Sequence, residues 1–443
     1  MSILRAFRNR NYRLFFVGQG FSLIGTWLTI VATSWLIYLL APKDRPGEAA
    51  ETMGWAAFAS QLPILIVGPF GGVLADRWNA RRVLIVTQAL SMIQSGLLAW
   101  LALTNLVTIK WIVLLSIFQG VVNAFDMPAR QRLTVEMIEQ REDLPNAIAL
   151  NSAMFNGARV LGPVIAGMII DQFGVAYCFV FDAFSFLAVI VALMAMSLNI
   201  ADKKRSGHSV LVELYHGLEY AFSFPPVRTA LIMATAVSLM TFAVALLLPI
   251  FAGRMAGELA PVLVHPGTPN ADPGARIFTF LQAASGVGAV FGGLYLASRK
   301  NVRGLGKVIG LAAILLGLGV VGFGLSQHLG ARMGCMFAWG CGMLLMFASL
   351  NTVLQTIIPD DKRGRVMSLF GITIMGVAPL GNLLGGQVAS RIGEADTALI
   401  GGAVVVVCGI VFLTRLPALR KIIGPIYEAK GIIATGTAET LNV

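Results

Sequence analysis

Polar residues along this chain are confined to short breaks between long apolar blocks. Twelve blocks have spanning length: roughly 12–40, 53–74, 83–104, 111–127, 147–170 and 174–198, then 228–252, 276–298, 306–326, 333–357, 366–390 and 397–415. A hydrocarbon core of ~30 Å takes about 20 helical residues. Lipid offers the backbone no hydrogen-bond partner, so each block is expected to be a helix. Gly recurs inside the blocks, where it lets helices approach closely. The pattern predicts an all-α membrane protein with twelve transmembrane helices in two pseudo-symmetric six-helix bundles. The expected domains are 1–198 (first bundle), 199–227 (linker), 228–420 (second bundle) and 421–443 (tail). The linker stretch "VLVELYHGLEYAF" has apolar residues at helical spacing and reads as an amphipathic helix on the membrane surface. The loop 253–275, rich in Pro and Gly, is expected to be flexible, and the tail from about 421 poorly ordered.

The two halves repeat weakly. "GGVLADR" after the second block is echoed by "GGLYLASR", Gly292 to Arg299, after the eighth. Gly162–Pro163 in the fifth is echoed by Ala378–Pro379 in the eleventh. Matched motifs in two six-span halves imply a pseudo-twofold axis along the membrane normal.

Composition agrees with the pattern and excludes several functions. Of the 443 residues 57% are hydrophobic and only 12% charged, against about 25% charged in soluble domains. The net charge of +11 raises nucleic acid as a partner. Lys and Arg, however, are spread over the breaks rather than gathered in one patch. Breaks and block ends on one side hold 25 of them and those on the other side seven, with Arg159 alone inside a block. That bias places both termini in the cytoplasm. The basic start "MSILRAFRNRNYR" leads into an apolar stretch too long for a cleaved signal, so it is expected to stay as a helix. The four Cys lie inside apolar blocks and read as buried hydrophobes rather than disulfides. The four His show no metal-ligand spacing. Met and Cys in the tenth block suit packing more than copper, so no metal is expected.

The charge inside the spans is sparse. Away from the block ends, Asp182 is the one acid and Arg159 the one base. They lie about 13 residues before and ten after the tight turn joining blocks five and six, at similar depth, so they are expected to pair. Such groups are candidates for function. Neutral polar and aromatic residues are candidates to line a substrate cavity: Gln19, Ser22, Trp27 and Trp35, Gln119 and Asn123, Asn151 and Asn156, Gln282, Asn351 and Gln355. Interhelical hydrogen bonding is the other reading for each. No triad, P-loop or metalloprotease motif is present. The sequence therefore predicts no enzyme activity and no cofactor, and leaves an ion gradient or the substrate's own gradient as the energy source.

"GGVLADRWNARR", Gly71 to Arg82, resembles the major facilitator superfamily signature between spans two and three, G-x-L-a-D-R followed by a basic pair. "GARVLGPVIAG" resembles the span-five signature of its exporters. "FRNRNYRLFFVGQGFSLIGTW", "AFDMPARQ", "PNAIALNSAMFNGARVLGP" and "DDKRGRVMSL" are similar to one bacterial branch, which includes enterobactin exporters and macrolide efflux proteins. There are departures. Asn79 stands where the signature usually has Gly, Ala297 replaces the Asp in the second copy, and Ser116 stands where drug–proton antiporters have Arg. The resemblance implies a conformational latch at the turn. Asp76 is its centre, with Arg130 as second partner, Gly72 allowing close approach, and Arg77, Arg81 and Arg82 around it. It also implies helix flexing at Gly162, Pro163 and Pro379.

The expected function is export of a small amphipathic organic molecule, a drug-like compound or siderophore, by alternating access with H+ as coupling ion. The expected setting is the bacterial inner membrane, as a monomer in the lipid bilayer without a nucleic-acid partner. A lipid or lysolipid carrier of the same fold, and a transport-dead receptor or scaffold, are the alternatives. The topology has a direct check. In intact cells a membrane-impermeant thiol reagent should label Thr268→Cys and Asp44→Cys and miss Ser206→Cys and Lys362→Cys. Labelling at 206 would overturn the orientation.

Overall fold

The computed structural model describes residues 5–42, 47–75, 78–138, 140–197, 218–263, 272–299 and 301–432. All regular elements among them are helical. They are α1 Arg10–Leu40, α2 Glu48–Ala75, α3 Ala80–Leu103, α4 Ile109–Glu136, α5 Leu144–Phe173, α6 Ala176–Ala195, α7 Pro225–Ala245, α8 Leu248–Leu263, α9 Pro273–Ser298, α10 Leu305–Leu325, α11 Leu329–Ile357, α12 Asp360–Gly371, α13 Ala378–Ile392 and α14 Glu394–Ala429. Among the described residues eleven helical stretches are long and apolar enough to cross a membrane, α7 with the start of α8 and α12 with α13 each counting once. The 28 residues of α2 supply the twelfth. The protein is a multi-pass membrane protein.

Two compact units are present. The first comprises Met1–Ser206 and Leu248–Ala283, the second Gly207–Leu247 and Ala284–Val443. The division falls inside the expected linker, but the first unit also takes in α8 and the start of α9. In the first unit α6 packs mainly on α1 and α3, α2 on α4, and α5 on α1. In the second, α10 is flanked by α11 and α14, and α7 by α13 and α14.

Glycine sets the spacing of these helices. A Cβ built at Gly340 of α11 would lie 2.6 Å from the Ser285 carbonyl carbon of α9, and one at Gly288 of α9 would lie 2.8 Å from the Phe337 carbonyl carbon. Gly310 and Gly409 face each other across α10 and α14, as do Gly317 and Gly402. In the first unit Gly18 of α1 rests on the Ala188 carbonyl of α6. Lipid tails are as apolar as leucine, so helix association depends on such close packing.

Four expected boundaries change. Span seven breaks after Ala245 and resumes as α8, so 253–263 is helix rather than flexible loop; Leu248, Phe251 and Met255 are buried there. The twelfth span runs on to Ala429, beyond the expected start of the tail, because Leu419 and Gly424 are buried and Lys430 Nζ donates to the Thr356 carbonyl of α11 (2.7 Å). Span eleven is split by a π turn, Ile372–Gly376, just before Pro379. Span four extends to Glu136. Most of the expected amphipathic linker helix lies outside the described residues, while 218–223 is helical.

The glycine contacts make a clear prediction. Gly340→Leu should lower the melting temperature of the detergent-purified protein, since overpacking a tight interface costs ~1–3 kcal/mol. Gly334→Leu, on the same helix with open space around it, should leave it unchanged. Equal melting of the two variants would contradict the packing account.

Candidate functional site

At the turn between α2 and α3, Asp76 and Arg77 lie outside the described residues, and Gly72 sits in the last turns of α2. The remaining signature residues are engaged locally. Asn79 caps α3, its Oδ1 accepting from the Arg82 backbone N–H (3.2 Å). The departure from Gly at this position is therefore a helix start, since Asn is among the strongest N-caps. The Arg82 residue is exposed. Arg81 donates to the Leu193 and Met194 carbonyls (2.7 and 3.0 Å), closing the C-terminus of α6. Cations at that end also oppose the helix dipole.

Arg130 pairs with Asp126 one turn earlier on α4. Its Nε donates to Asp126 Oδ2 at 3.0 Å, while Asp126 Oδ1 accepts from Thr87 and Gln88 of α3 (2.8 and 2.7 Å). Asp126 is 5% exposed. Asp182 is thus not the one acid buried within a span. Asp126 stands next to the end of the apolar block 111–127 and so read as a boundary charge, whereas the helix continues for nine residues beyond Met127. A buried carboxylate fully supplied with donors, one of them a guanidinium, forms a static brace between α3 and α4.

Asp182 of α6 is 2% exposed. Its Oδ2 accepts from Thr29 of α1 (2.8 Å) and Ser95 of α3 (2.7 Å), and Oδ1 lies 3.5 Å from Ser185 Oγ. Gly25 makes room on α1, where a Cβ would lie 2.6 Å from Asp182 Oδ1. The expected Asp182–Arg159 pair is not among the ion pairs of the described residues. Depth alone misled: α6 packs on α1 and α3 and only lightly on α5, which carries Arg159. Equal depth in a hairpin does not make two side chains face each other.

The expected lining residues divide between the units. In the first, Gln119 Nε2 donates to Ser91 Oγ (2.9 Å) and Asn123 Oδ1 (3.1 Å). The Oε1 atoms of Gln19 and Gln119 are buried with no hydrogen-bond partner among the described residues. Trp27 stands edge-on to Phe155, with ring centroids 6.3 Å apart. It also packs on Gly162, where a Cβ would lie 3.1 Å from its Cγ. Gly162 therefore serves close packing of α1 on α5, and Pro163 sits inside an unbroken α5. Asn156 donates to the Ser152 carbonyl of its own helix (2.8 Å). Asn151 shares the Tyr12 hydroxyl with the Ala147 carbonyl, both at 3.0 Å. Gln282 is half-buried on α9. In the second unit Asn351 and Gln355 of α11 bond to each other (3.3 Å).

A further cluster, which sequence reasoning missed, lies at the far end of α1. Trp35, taken for a lining residue, donates from Nε1 to Asp272 Oδ2 (2.8 Å) and stacks on Phe278 (6.2 Å). Asp272 also caps α9 through the Ala275 N–H (3.1 Å). Arg276 of α9 is paired with Asp171 of α5, and Gly253 of α8 lies against Tyr38. Segment 248–283, from the second half of the sequence, is thereby fastened to α1 and α5. No periodicity marks these residues. Both charges fell in presumed loops, and only the opposite signs of Asp171 and Arg276 offered a clue.

The Asp126 brace can be tested. Asp126→Ala should lower the melting temperature, because it deprives Thr87, Gln88 and Arg130 of their shared acceptor, and a hydrogen bond to a charged group contributes ~1.5–3 kcal/mol. Asp126→Asn with Arg130→Gln should recover part of the loss relative to the sum of the single changes, as coupled neighbours do. Additive melting shifts would show that the pair contributes no coupling.

Comparison with known proteins agrees with this arrangement of helices. Residues 1–423 match the family described as transmembrane secretion effector. The chain is 22% identical to a staphyloferrin A transporter of Staphylococcus aureus, covering 90% of this chain and 95% of that protein. It is 26% identical to the multidrug efflux pump Tap of Mycobacterium tuberculosis (90% and 91% covered) and 23% identical to the enterobactin exporter EntS of Shigella flexneri (93% and 92%). Among solved structures, a peptide transporter POT in complex with alafosfalin superposes with a TM-score of 0.67 at 13% identity (93% and 95% covered), and the nucleoside transporter NupG with 0.62 at 14% (90% and 99%). Those likenesses concern the fold. By sequence, fold and helix content, the chain belongs to the transmembrane secretion effector family of the major facilitator superfamily and is a transporter, not an enzyme.

Proposed function

We propose that this protein exports a small amphipathic organic molecule, a drug-like compound or a siderophore, across the bacterial inner membrane. It works as a monomer, with both termini in the cytoplasm and H+ as coupling ion. The relatives that carry siderophores or drugs support the cargo class. The observation that carries the mechanism is the polar fastening of segment 248–283 to α1 and α5. Alternating access requires one end of the transporter to open while the other stays shut. A gate for that purpose needs contacts that hold in one state and release in the other. Arg276–Asp171 and Trp35–Asp272 suit this role: both ion-pair side chains keep about a fifth of their surface exposed, so water can replace each partner as the gate opens.

The coupling proton has a candidate seat at Asp182. Hydroxyl groups donate or accept as needed, so Thr29, Ser95 and Ser185 can serve the carboxyl with or without its proton. Gln19, Trp27 and Gln119 supply unmet acceptors and an aromatic face in the first unit. These are the features an amphipathic ligand would use.

Two measurements test this reading. In an efflux-deficient host, expression should lower cell accumulation of at least one compound from a panel of siderophores and antibiotics. An uncoupler should abolish the effect, and no lowered accumulation across the panel would sink the export reading. Separately, Arg276→Gln should raise external thiol labelling of Thr279→Cys about tenfold, ~1.4 kcal/mol of gate stability. Unchanged labelling would remove the gate.

A further inference from the structure

The second unit contains a cavity of about 110 Å³ that the transport reading does not use. It opens where the first turns of α7 and α10 meet the last turns of α11 and α14. Ala230, Ile309, Leu354 and Leu416 belong to its apolar wall, and Arg303, Arg420 and Tyr427 supply its polar groups. We propose that this cavity binds an anionic phospholipid of the cytoplasmic leaflet, with an acyl chain in the apolar wall and the phosphate against Arg303 and Arg420.

Charge complementarity selects the occupant. The stretch 299–307 carries Arg299, Lys300, Arg303 and Lys307, and the stretch 412–427 carries Arg415, Arg420 and Lys421. Neither stretch contains an Asp or Glu. Among the described residues neither Arg303 nor Arg420 has an ion pair. Such basic ends face the cytoplasm, and basic pockets between helices on that side suit anionic headgroups. A zwitterionic lipid would bring its own cation toward two guanidinium groups.

The turn that carries Arg303 is built to hold it in place. Gly304 follows with φ +78, a left-handed conformation that favours glycine. Arg299 donates from Nη2 to the Arg303 carbonyl (2.6 Å) and from Nη1 to the Tyr295 hydroxyl (2.9 Å), with its guanidinium 5.7 Å above the Tyr295 ring. The turn is thus pinned through its backbone, and the Arg303 side chain is left for the cavity. These residues form the second copy of the signature turn, in which Ala297 replaces the Asp. The opposite wall is held as well. The 36 residues of α14 extend about 54 Å at ~1.5 Å per residue, well beyond the ~30 Å hydrocarbon core. Its last turns, with Arg420 and Tyr427, therefore reach headgroup level, where Tyr and Arg are favoured. The Lys430–Thr356 bond ties that end to α11.

Full-length protein in neutral detergent should be titrated with phosphatidylglycerol and with phosphatidylcholine of the same acyl chains, reading bound lipid by native mass spectrometry and melting temperature in parallel. Phosphatidylglycerol should bind about thirtyfold more tightly, as two basic contacts imply. Arg303→Gln with Arg420→Gln should erase the preference, Arg303→Lys with Arg420→Lys should keep most of it, and Arg8→Gln with Arg10→Gln should keep all of it. Val353→Trp, which fills the cavity, should weaken both lipids, and glycerol phosphate without acyl chains should neither bind nor shift melting. Equal binding of the two lipids overturns the proposal, as does a preference that survives the double Gln change or falls equally in the Arg8/Arg10 control. Undiminished binding to Val353→Trp, or an equal shift with glycerol phosphate, overturns it too. Each variant's lipid-free melting temperature separates loss of the site from loss of the fold.

Discussion

The close approach of one helix backbone to another, made possible by glycine, is the contact on which the rest of this protein depends. In water, apolar faces would be driven together by hydration. In lipid that force is absent between helices, and van der Waals contact and buried polar bonds must do the work. Gly288, Gly340, Gly310, Gly409, Gly317 and Gly402 bring α9, α10, α11 and α14 together in the second unit. Gly18, Gly25 and Gly162 do the same around α1 in the first. Only at such distances can a short side chain on one helix reach a polar group on the next, as Thr29 and Ser95 reach Asp182.

Three acids of the first unit, Asp126, Asp182 and Asp171, are served by different chemistry. Asp126 is bound by a guanidinium, an amide and a hydroxyl, an arrangement that ties α3 to α4. Asp182 is met by hydroxyls, which tolerate either protonation state. Asp171 meets Arg276 where water reaches both side chains, whereas at the Asp126 brace water reaches mainly the arginine. Three aspartates of the first unit thus meet three different sets of donors.

Much of the fold was legible because lipid imposes a coarse code. Blocks of about 20 apolar residues have to be helices, and apart from the end of span four the first six spans begin and end close to where hydropathy placed them. The signature turn was also legible as a family mark, though not in its working parts. Asn79 looked like a defect in the motif until its capping bond was seen, and Arg81 looked like a latch although its donors close α6. What hydropathy could not show was angular position. Arg159 and Asp182 share a depth but project from helices that scarcely pack on each other. Nor could it separate helix from loop where polar residues enter a helix, and that concealed Asp126 at the end of span four, α8 beyond span seven and the far turns of α14. The Asp171–Arg276 and Trp35–Asp272 contacts join residues more than a hundred positions apart, and no local pattern encodes such pairs.

The π turn at Ile372–Gly376 has a consequence for how α12 and α13 share one span. A π turn accommodates one residue more than an α-turn would, and each residue of an α-helix advances the face by about 100°. The two halves of this span are therefore out of phase by roughly that angle: Lys362 of α12 sits over the Tyr220 ring, while the glycine-lined face of α13 packs on α7. The two halves are thus seated by separate contacts, and a register change of a single residue at the π turn would rotate one against the other by about 100°.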